Sequence, residues 1–268
     1  MRFQGRETRV LLLLWLALGT GGRGFAGDTP VPEPPSVSSL AAEQAAACQK
    51  TAREELFVDL AGLRRYVAAD AALPSPGSNE RRVVFMGDSI SDFWPTVDPD
   101  FFARAEFVDR GISGQTTLQM LLRFRQDVIA LKPTVVHIMA GTNDIAGNTG
   151  PMDLSGIESN IASMVDLAQA NGIQVVIGSV LPAAKFPWRP ELDPGPKIIL
   201  LNRWLKSYSA AMHLIYVDYY AALTDGALGM RSDVSADGVH PTLAGYRLMD
   251  PLALTAIRAA QRRHVQSR

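Results

Sequence analysis

Residues 83–91 have the sequence VVFMGDSIS. Four apolar residues end at Gly87, and Asp88 and Ser89 follow directly. A short apolar run closed by a turn residue is typical of a buried strand in a parallel sheet. Glycine permits a tight turn, so Ser89 falls where the chain would turn into a helix. The stretch therefore predicts a strand–turn–helix unit with a serine at its turn.

Further runs of this kind follow, with helical patterns between them. Strands that alternate with helices predict an α/β domain of three α/β/α layers around a parallel sheet. Ligands of such sheets bind beyond the carboxyl ends of the strands, so polar residues at those ends are the candidates for a functional site. The predicted strands are Val83–Met86, Glu106–Val108, Thr134–Ala140, Ile173–Val180 and Leu214–Val217.

Apolar residues at helical spacing predict the helices between the strands. Ser155 and Glu158 predict a capping box at the start of one helix. Pro251 is expected to kink or break the last helix, which spans residues 243–257. The three predicted apolar faces contain Leu118, Leu121, Leu122, Val128 and Ile129; Ile157, Ile161, Met164, Val165 and Ala168; and Ile198, Leu201, Leu205 and Tyr208.

Residues 1–26 have the pattern of a secretory signal peptide. Three arginines precede an apolar run from Val10 to Leu18, and Gly24 and Ala26 occupy the positions of a cleavage site. The alternative is an uncleaved anchor, although the run is shorter than the roughly 20 residues of a transmembrane helix. The pattern predicts a secreted or periplasmic protein with no stable membrane anchor.

Residues 27–79 are predicted to form a linker and an N-terminal helical extension before a catalytic domain over residues 80–268. The linker is rich in proline and serine over residues 28–39. Residues 40–72 are rich in alanine, glutamate and leucine, which favours one long amphipathic helix or a helical pair. The apolar positions at helical spacing in that segment are Leu56, Leu60, Leu63 and Val67.

Composition excludes several classes of function. The chain of 268 residues has a formal net charge of -1 and no basic run, so we expect no nucleic-acid partner. Its single cysteine, Cys48, excludes an internal disulfide. No cysteine–histidine cluster suggests a metal site. The sequence makes no prediction about the oligomeric state, which stays unknown.

Ser89 is the candidate nucleophile. A serine hydroxyl needs a base to take its proton, and His240 stands three residues after Asp237 in the sequence DGVHP. One short loop can hold both side chains, with the carboxylate orienting the imidazole ring. The alternatives are a serine that caps a helix and a plain surface turn.

Two further strand ends carry candidate oxyanion donors. The second predicted strand runs into residues 109–117, DRGISGQTT, whose glycines allow backbone N–H groups to approach a ligand. The third ends in Gly141-Thr142-Asn143-Asp144, where the Asn143 amide can donate to an oxyanion. The alternatives are a glycine-rich turn and an Asx turn. Together the four segments supply nucleophile, oxyanion donors, base and orienting acid.

These motifs resemble the SGNH/GDSL hydrolase superfamily, over about residues 82–260. The matching residues are Ser89 in GDSIS, Gly114 in RGISGQTT, Asn143 in GTND, and Asp237 and His240 in DGVHPTLAGY. Within the superfamily the chain resembles the branch with platelet-activating-factor acetylhydrolase subunits and bacterial lysophospholipase-like esterases. The chain departs from the family in having GDSI for GDSL, and Asp109 or Arg110 where the family usually has asparagine.

The resemblance implies a flavodoxin-like fold of about five parallel strands and a serine-esterase mechanism. Ser89 would attack an ester carbonyl while His240, oriented by Asp237, accepts its proton. The backbone N–H groups of Ser89 and Gly114 and the side chain of Asn143 would hold the oxyanion. No metal or cofactor is implied.

Four residues are candidates for substrate binding. Phe93 and Trp94 follow the nucleophile and are candidate walls of the pocket, the alternative being a packing role. Trp188 and Arg189 lie in the proline-rich loop of residues 181–197, where the tryptophan could stack on a sugar and the arginine could meet an anion. The alternative is a surface loop stiffened by prolines.

The predicted activity is hydrolysis of carboxylic esters with short acyl groups, such as acetyl groups on a small molecule or a carbohydrate. A lysophospholipase or a thioesterase would use the same catalytic residues. An acyltransferase would replace water by a sugar alcohol. A non-catalytic binding module is the alternative from another class, and the complete set of catalytic residues argues against it.

Overall fold

The computed structural model describes residues 58–77 and 81–266. The predicted signal peptide, the linker over residues 28–39 and Cys48 lie outside the described residues. No helix of the described residues is long and apolar enough to cross a membrane.

The centre of the fold is a sheet of five parallel strands in the order β2-β1-β3-β4-β5. All five predicted strands are therefore confirmed, each within a few residues of its predicted bounds. The strands are β1 (Val83–Gly87), β2 (Phe107–Gly111), β3 (Val135–Met139), β4 (Gln174–Gly178) and β5 (Ile215–Val217).

Helices cover both faces of the sheet, which confirms the three-layer α/β/α prediction. One layer contains α4, α6 and α7, and the other contains α2, α3, α8 and α9. The helices are α1 (Val67–Ala72), α2 (Ser89–Val97), α3 (Pro99–Phe102), α4 (Thr117–Asp127), α5 (Thr142–Ile145), α6 (Leu154–Ala170), α7 (Gly195–Ala211), α8 (Tyr219–Leu223) and α9 (Leu243–Gln266).

Strand β1 illustrates why the sequence forms this sheet. Successive side chains of a strand point to opposite faces, so Val84 and Met86 pack in the core beneath α4 and α6, whereas Val83 and Phe85 pack beneath α2 and α9. All five residues of the strand are buried. A continuous apolar run is what a strand buried on both faces requires.

The apolar face predicted for α4 is correct only in part: Val128 is buried, and Leu121 and Ile129 pack partly buried against the core. Leu118 and Leu122 are exposed, while Met120 and Phe124 are buried. The inward side of this helix also carries Arg123 and other polar residues that bond to neighbouring loops. Because these polar residues occupy much of the buried side, the apolar pattern alone places Leu118 and Leu122 there wrongly. The faces predicted for α6 and α7 are buried, with Tyr208 partly so.

The structure corrects two other local predictions, the serine cap of α6 and a break of α9 at Pro251. Helix α6 is capped by Asp153, whose carboxylate accepts from the Gly156 N–H at 2.8 Å and from the Ser155 hydroxyl at 2.9 Å, so Ser155 is not the cap. Helix α9 continues through Pro251. The proline is exposed on the outer side of the helix, so its ring does not disturb packing against the sheet.

The described part of the predicted N-terminal helix is mostly not helical. We call residues 58–73 the strap; in it α1 spans only six residues, and residues 60–65 lie in turns and bends. The Asp59 carboxylate accepts from the N–H groups of Leu63 and Arg64, and Gly62 has a positive φ of 67°. These turns interrupt the helical spacing, and the predicted apolar positions Leu60, Leu63 and Val67 are exposed.

The strap is held to the domain by polar contacts. Arg110 Nε at the end of β2 donates to Asp70 Oδ1 at 2.9 Å, and both side chains are largely buried. The Tyr66 hydroxyl donates to the Gly111 carbonyl. Glutamine side chains also donate to strap carbonyls: Gln115 to Ala61 at 2.7 Å, Gln119 to Leu60 at 2.7 Å and Gln126 to Leu63 at 2.6 Å.

We expect Asp70→Ala to lower the free energy of unfolding by about 3–5 kcal/mol, because it leaves the buried Arg110 charge without its partner. Replacing both partners, as Asp70→Leu with Arg110→Met, should restore much of that loss. Urea unfolding measures both changes. Asp166→Ala, at an exposed position on α6, is the matched control and should change stability by less than about 0.5 kcal/mol. An equally small effect of Asp70→Ala would contradict the importance of this ion pair.

Candidate active site

The carboxyl ends of three neighbouring strands meet at one edge of the sheet. Gly87 of β1 is in register with Gly111 of β2 and with Met139 of β3. The three loops that follow these residues contain Ser89, Gly114 and Asn143. The parallel register therefore brings the first three predicted motifs to the same place, as expected for an α/β sheet.

Ser89 is the first residue of α2. The helix cap is Asp88, whose carboxylate accepts from the Ile90 N–H at 3.0 Å, so the alternative that Ser89 serves as the cap is excluded. Gly87 is required at this turn, because a Cβ there would lie 2.1 Å from Ser91 Oγ. The hydroxyl of Ser89 lies 2.9 Å from His240 Nε2.

Asp237 and His240 lie in the loop between α8 and α9, so this motif does not directly follow a strand. His240 Nδ1 lies 2.7 Å from Asp237 Oδ2. The other oxygen of Asp237 accepts from the N–H groups of Val239 and His240. Burial favours a higher pKa for Asp237, but hydrogen bonds from the His240 ring and these N–H groups outweigh it and lower the pKa to about 2.

This geometry determines which nitrogen of His240 carries a proton. An ionised carboxylate only accepts hydrogen bonds, so Nδ1 beside Asp237 carries the hydrogen of a neutral ring. The lone pair of Nε2 then faces the Ser89 hydroxyl. The three side chains form a continuous hydrogen-bonded chain that is able to take a proton from serine and return it to a leaving group.

The candidate oxyanion residues Gly114 and Asn143 are joined by Asn148, which the sequence analysis did not single out. Asn148 Nδ2 donates to the Gly114 carbonyl at 3.1 Å and to Asn143 Oδ1 at 2.8 Å. Asn143 Nδ2 donates in turn to Gln115 O at 3.1 Å and to Asp88 Oδ2 at 3.2 Å. Gly114 has a positive φ of 79°.

Two buried carboxyl groups support these loops. Asp144 accepts from the Thr117 N–H at 2.9 Å and from its hydroxyl at 2.6 Å, which ties the β3 loop to the start of α4. Asp88 is nearly inaccessible, and burial raises its pKa to about 6 even though the Ile90 N–H favours the charged form. Both residues act on the loops and not on the Ser89 hydroxyl.

The raised pKa of Asp88 predicts a pH-dependent stability. Its pKa is near 3.9 in an unfolded chain and about 6 in the fold, so its ionisation destabilises the fold as pH rises through that window. Relative to wild type, Asp88→Asn should therefore gain up to about 3 kcal/mol of stability between pH 4 and pH 7. Urea unfolding of both proteins across that range measures the difference. Asp166→Asn is the control, for which the difference in free energy of unfolding from wild type should not change with pH. If the difference for Asp88→Asn were equally independent of pH, the raised pKa of Asp88 would be rejected.

The prediction that Trp94 lines the substrate pocket is wrong. Trp94 is fully buried, stacks on Phe101 and Tyr246, and donates from Nε1 to Asp250 Oδ1 at 3.1 Å. On a helix the neighbouring residue points elsewhere, and it is Phe93 that lies beside the site. Phe93 is 41% exposed, and its ring centroid is 5.4 Å from that of His240.

Trp188 lies on the other approach to His240. Its ring is 6.3 Å from the His240 ring, 40% exposed and stacked on the buried Phe186. The neighbouring Arg189 donates to Ala146 O at 2.8 Å and to Glu191 Oε1 at 2.6 Å, so its described contacts fix the loop. The loop thus brings one aromatic face to the candidate site.

Substitution separates the two neighbouring aromatic residues. We expect Trp94→Ala to lower the free energy of unfolding by about 3–5 kcal/mol, because it leaves a cavity in the core. Phe93→Ala removes an exposed ring and should cost about 1 kcal/mol or less, while raising KM for an ester substrate. Thermal unfolding and steady-state kinetics measure the two effects. Similar stability losses in both variants would contradict these placements.

Among the described residues, no group of three or more histidine, cysteine, aspartate or glutamate side chains could hold a metal ion.

A three-layer α/β/α domain with a serine, a histidine and an aspartate in one hydrogen-bonded chain has the arrangement of a serine hydrolase. The chain belongs to the GDSL-like lipase/acylhydrolase family, whose sequence profile matches residues 85–248, more than half of its length. It is thereby placed among the carboxylic-ester hydrolases, and the resemblance to the SGNH/GDSL superfamily is confirmed.

Relatives of known name agree with this membership. A GDSL-like lipase from Bacteroides thetaiotaomicron is 46% identical, with a TM-score of 0.73 over 75% of this chain and 98% of that one. Esterase TesA of Pseudomonas aeruginosa is 30% identical over 149 residues, which are 53% of this chain and 65% of the relative, just under two thirds. An acetylxylan esterase of Geobacillus stearothermophilus is 28% identical over 151 residues, 53% of this chain and 67% of the relative.

Proposed function

We propose that this protein is a secreted serine esterase that removes short acyl groups, acetyl above all, from a carbohydrate or another small alcohol. The observation that carries the proposal is the hydrogen-bonded chain of Ser89, His240 and Asp237, with contacts of 2.9 and 2.7 Å. The candidate donors Gly114 and Asn143 come from the neighbouring loops. A binding module would need no such arrangement.

In the proposed mechanism Ser89 Oγ attacks the ester carbonyl carbon while His240 Nε2 takes the hydroxyl proton. The backbone N–H groups of Ser89 and Gly114 and one N–H of Asn143 Nδ2 bind the oxyanion. That Asn143 N–H shares or leaves its present acceptor, Asp88 or Gln115, as negative charge develops. His240 then protonates the departing alcohol. In the second half of the reaction His240 takes a proton from water, the water oxygen attacks the acyl carbon, and His240 returns the proton to Ser89 Oγ as the acid leaves.

The preference for a small acyl group on a carbohydrate rests on the aromatic residues around His240. Phe93 and Trp188 each expose about two fifths of their surface beside the His240 ring. Flat aromatic faces suit the apolar face of a sugar ring. The relative from Geobacillus is named for acetylxylan. A lysophospholipase or a thioesterase would use the same serine, and these are the competing outcomes of the test below.

Secretion is proposed from the sequence of residues 1–26, with its arginines, short apolar run and small residues before Gly27. The proposed localisation is secreted or periplasmic, where a polymeric or oligomeric carbohydrate ester is accessible. N-terminal sequencing of the exported protein tests the cleavage.

The first test is hydrolysis of p-nitrophenyl esters from acetate to palmitate by wild type and Ser89→Ala. We expect kcat to be highest with acetate and to fall by at least about 10³-fold in the variant, because the nucleophile is lost. Ser207→Ala, at an exposed serine on α7, is the matched control and should retain wild-type rates. Ser89→Ala with undiminished turnover would reject the mechanism.

Natural substrates then separate the competing functions. Acetate released from acetylated xylo-oligosaccharides faster than fatty acid from lysophospholipids or thiol from acyl thioesters supports the proposal. A rate that rises with acyl-chain length would instead favour the lysophospholipase alternative.

A further inference from the structure

We propose that Asn148 is a positioning residue of the oxyanion hole, and that it connects the hole to Trp188. This inference rests on the proposed function. Asn148 touches both candidate oxyanion residues, through Nδ2 to Gly114 O at 3.1 Å and to Asn143 Oδ1 at 2.8 Å. Its Oδ1 accepts from Trp188 Nε1 at 3.2 Å. One amide thus joins three loops around the site.

The direction of each hydrogen bond follows from the chemistry of Trp188. An indole nitrogen only donates, so the end of the Asn148 amide that faces Trp188 is its oxygen. The NH₂ end of Asn148 therefore faces the Gly114 carbonyl and the oxygen of Asn143. If the Asn148 amide were flipped, exchanging Oδ1 and Nδ2, it would not form all three hydrogen bonds.

The same logic extends to Asn143. Because Asn143 Oδ1 accepts from Asn148, the NH₂ group of Asn143 is turned toward Gln115 O and Asp88 Oδ2. A backbone carbonyl can only accept a hydrogen bond, and so can the Asp88 carboxylate when it is ionised. A flipped Asn143 would aim an oxygen where the oxyanion forms and would repel it. Asn148 therefore keeps the donor end of Asn143 on the side where a donor is needed.

Asn148 is itself held by the turn that contains it. Its N–H donates to the Asn143 carbonyl at 3.0 Å, and the flanking Gly147 has a positive φ of 70°. Arg189 fixes the same turn by donating to Ala146 O at 2.8 Å. The loop that carries Trp188 thus contacts the turn through both Arg189 and the Trp188 indole.

A positioning role predicts a particular kinetic signature. Oxyanion donors act on charge that develops only in the transition state, so their misplacement lowers kcat and leaves KM nearly unchanged. Loss of one donor typically costs about 10²–10³-fold in kcat, so displacement of donors that remain present should cost less, about 10- to 100-fold.

The test compares Asn148→Asp with wild type on p-nitrophenyl acetate. The substitution keeps the shape and the acceptor for Trp188 but replaces both donated hydrogen bonds by oxygen–oxygen repulsion. We expect kcat to fall about 10- to 100-fold with KM changed less than about threefold, and the rate of Ser89 labelling by a fluorophosphonate to fall in parallel. Asn171→Asp, the same change at an exposed asparagine remote from the site, should alter none of these values.

Trp188→Phe tests the hydrogen bond between Trp188 and Asn148. It also provides a second test of the proposal if Asn148→Asp does not fold. The ring and its stacking on Phe186 remain, but the N–H that orients Asn148 is lost. We expect a several-fold lower kcat on the acetate ester, and a double variant no slower than Asn148→Asp alone.

The outcomes separate this inference from the proposed function. If wild type hydrolyses the ester and folded Asn148→Asp stays within twofold of it in kcat and in labelling rate, the proposed role of Asn148 is overturned. The proposed esterase function is then unaffected. Multiplicative effects in the double variant overturn the connection to Trp188. Wild type that neither hydrolyses esters nor labels at Ser89 overturns the proposed function and this inference together.

Discussion

The buried guanidinium of Arg123 is the interaction on which the active-site edge depends. Arg123 has no exposed surface, and it bonds to Asp127 at 3.0 Å, to the Gln115 side chain at 2.6 Å and to the Gly87 carbonyl at 3.1 Å. Burial lowers the pKa of Arg123, and the hydrogen bond and charge of Asp127 oppose that shift. A charge without solvent requires all of its partners, so the turn before Ser89, the Gly114 loop and α4 hold one another in place.

Strands and site were predictable from sequence to different degrees and for different reasons. The five strands were identified because residues buried on both faces form continuous apolar runs. Ser89, Asp237 and His240 were recognised as a set from their motifs and resemblance. On α4 the apolar spacing wrongly places Leu118 and Leu122 on the buried side, because polar residues such as Arg123 occupy part of that side. Trp94 was misplaced because sequence gives the distance to Ser89 along the chain and not the direction of a side chain on α2.

The strap and Asn148 were unpredictable for a common reason. Many of the hydrogen bonds that hold them end on a backbone carbonyl far away in sequence, such as Ala61 O of the strap for Gln115 and Gly114 O for Asn148. A carbonyl is present at every residue, so the sequence contains no sign of which one is used. The site therefore combines a motif-encoded centre with a surrounding network of amides that only the folded chain defines. In this network the exposed Trp188 and the buried Asp88 are separated by two asparagine side chains.

The strap has a consequence for what counts as a domain in this chain. The family profile begins at residue 85, whereas the strap ends at residue 73. A fragment trimmed to the profile would lose Asp70 and Tyr66, and with them the partners of Arg110 and of the Gly111 carbonyl. The region matched by the family profile is thus shorter than the set of residues that hold the active-site loops in place. Grafting the catalytic motifs of this chain onto another scaffold would require transplanting the strap as well.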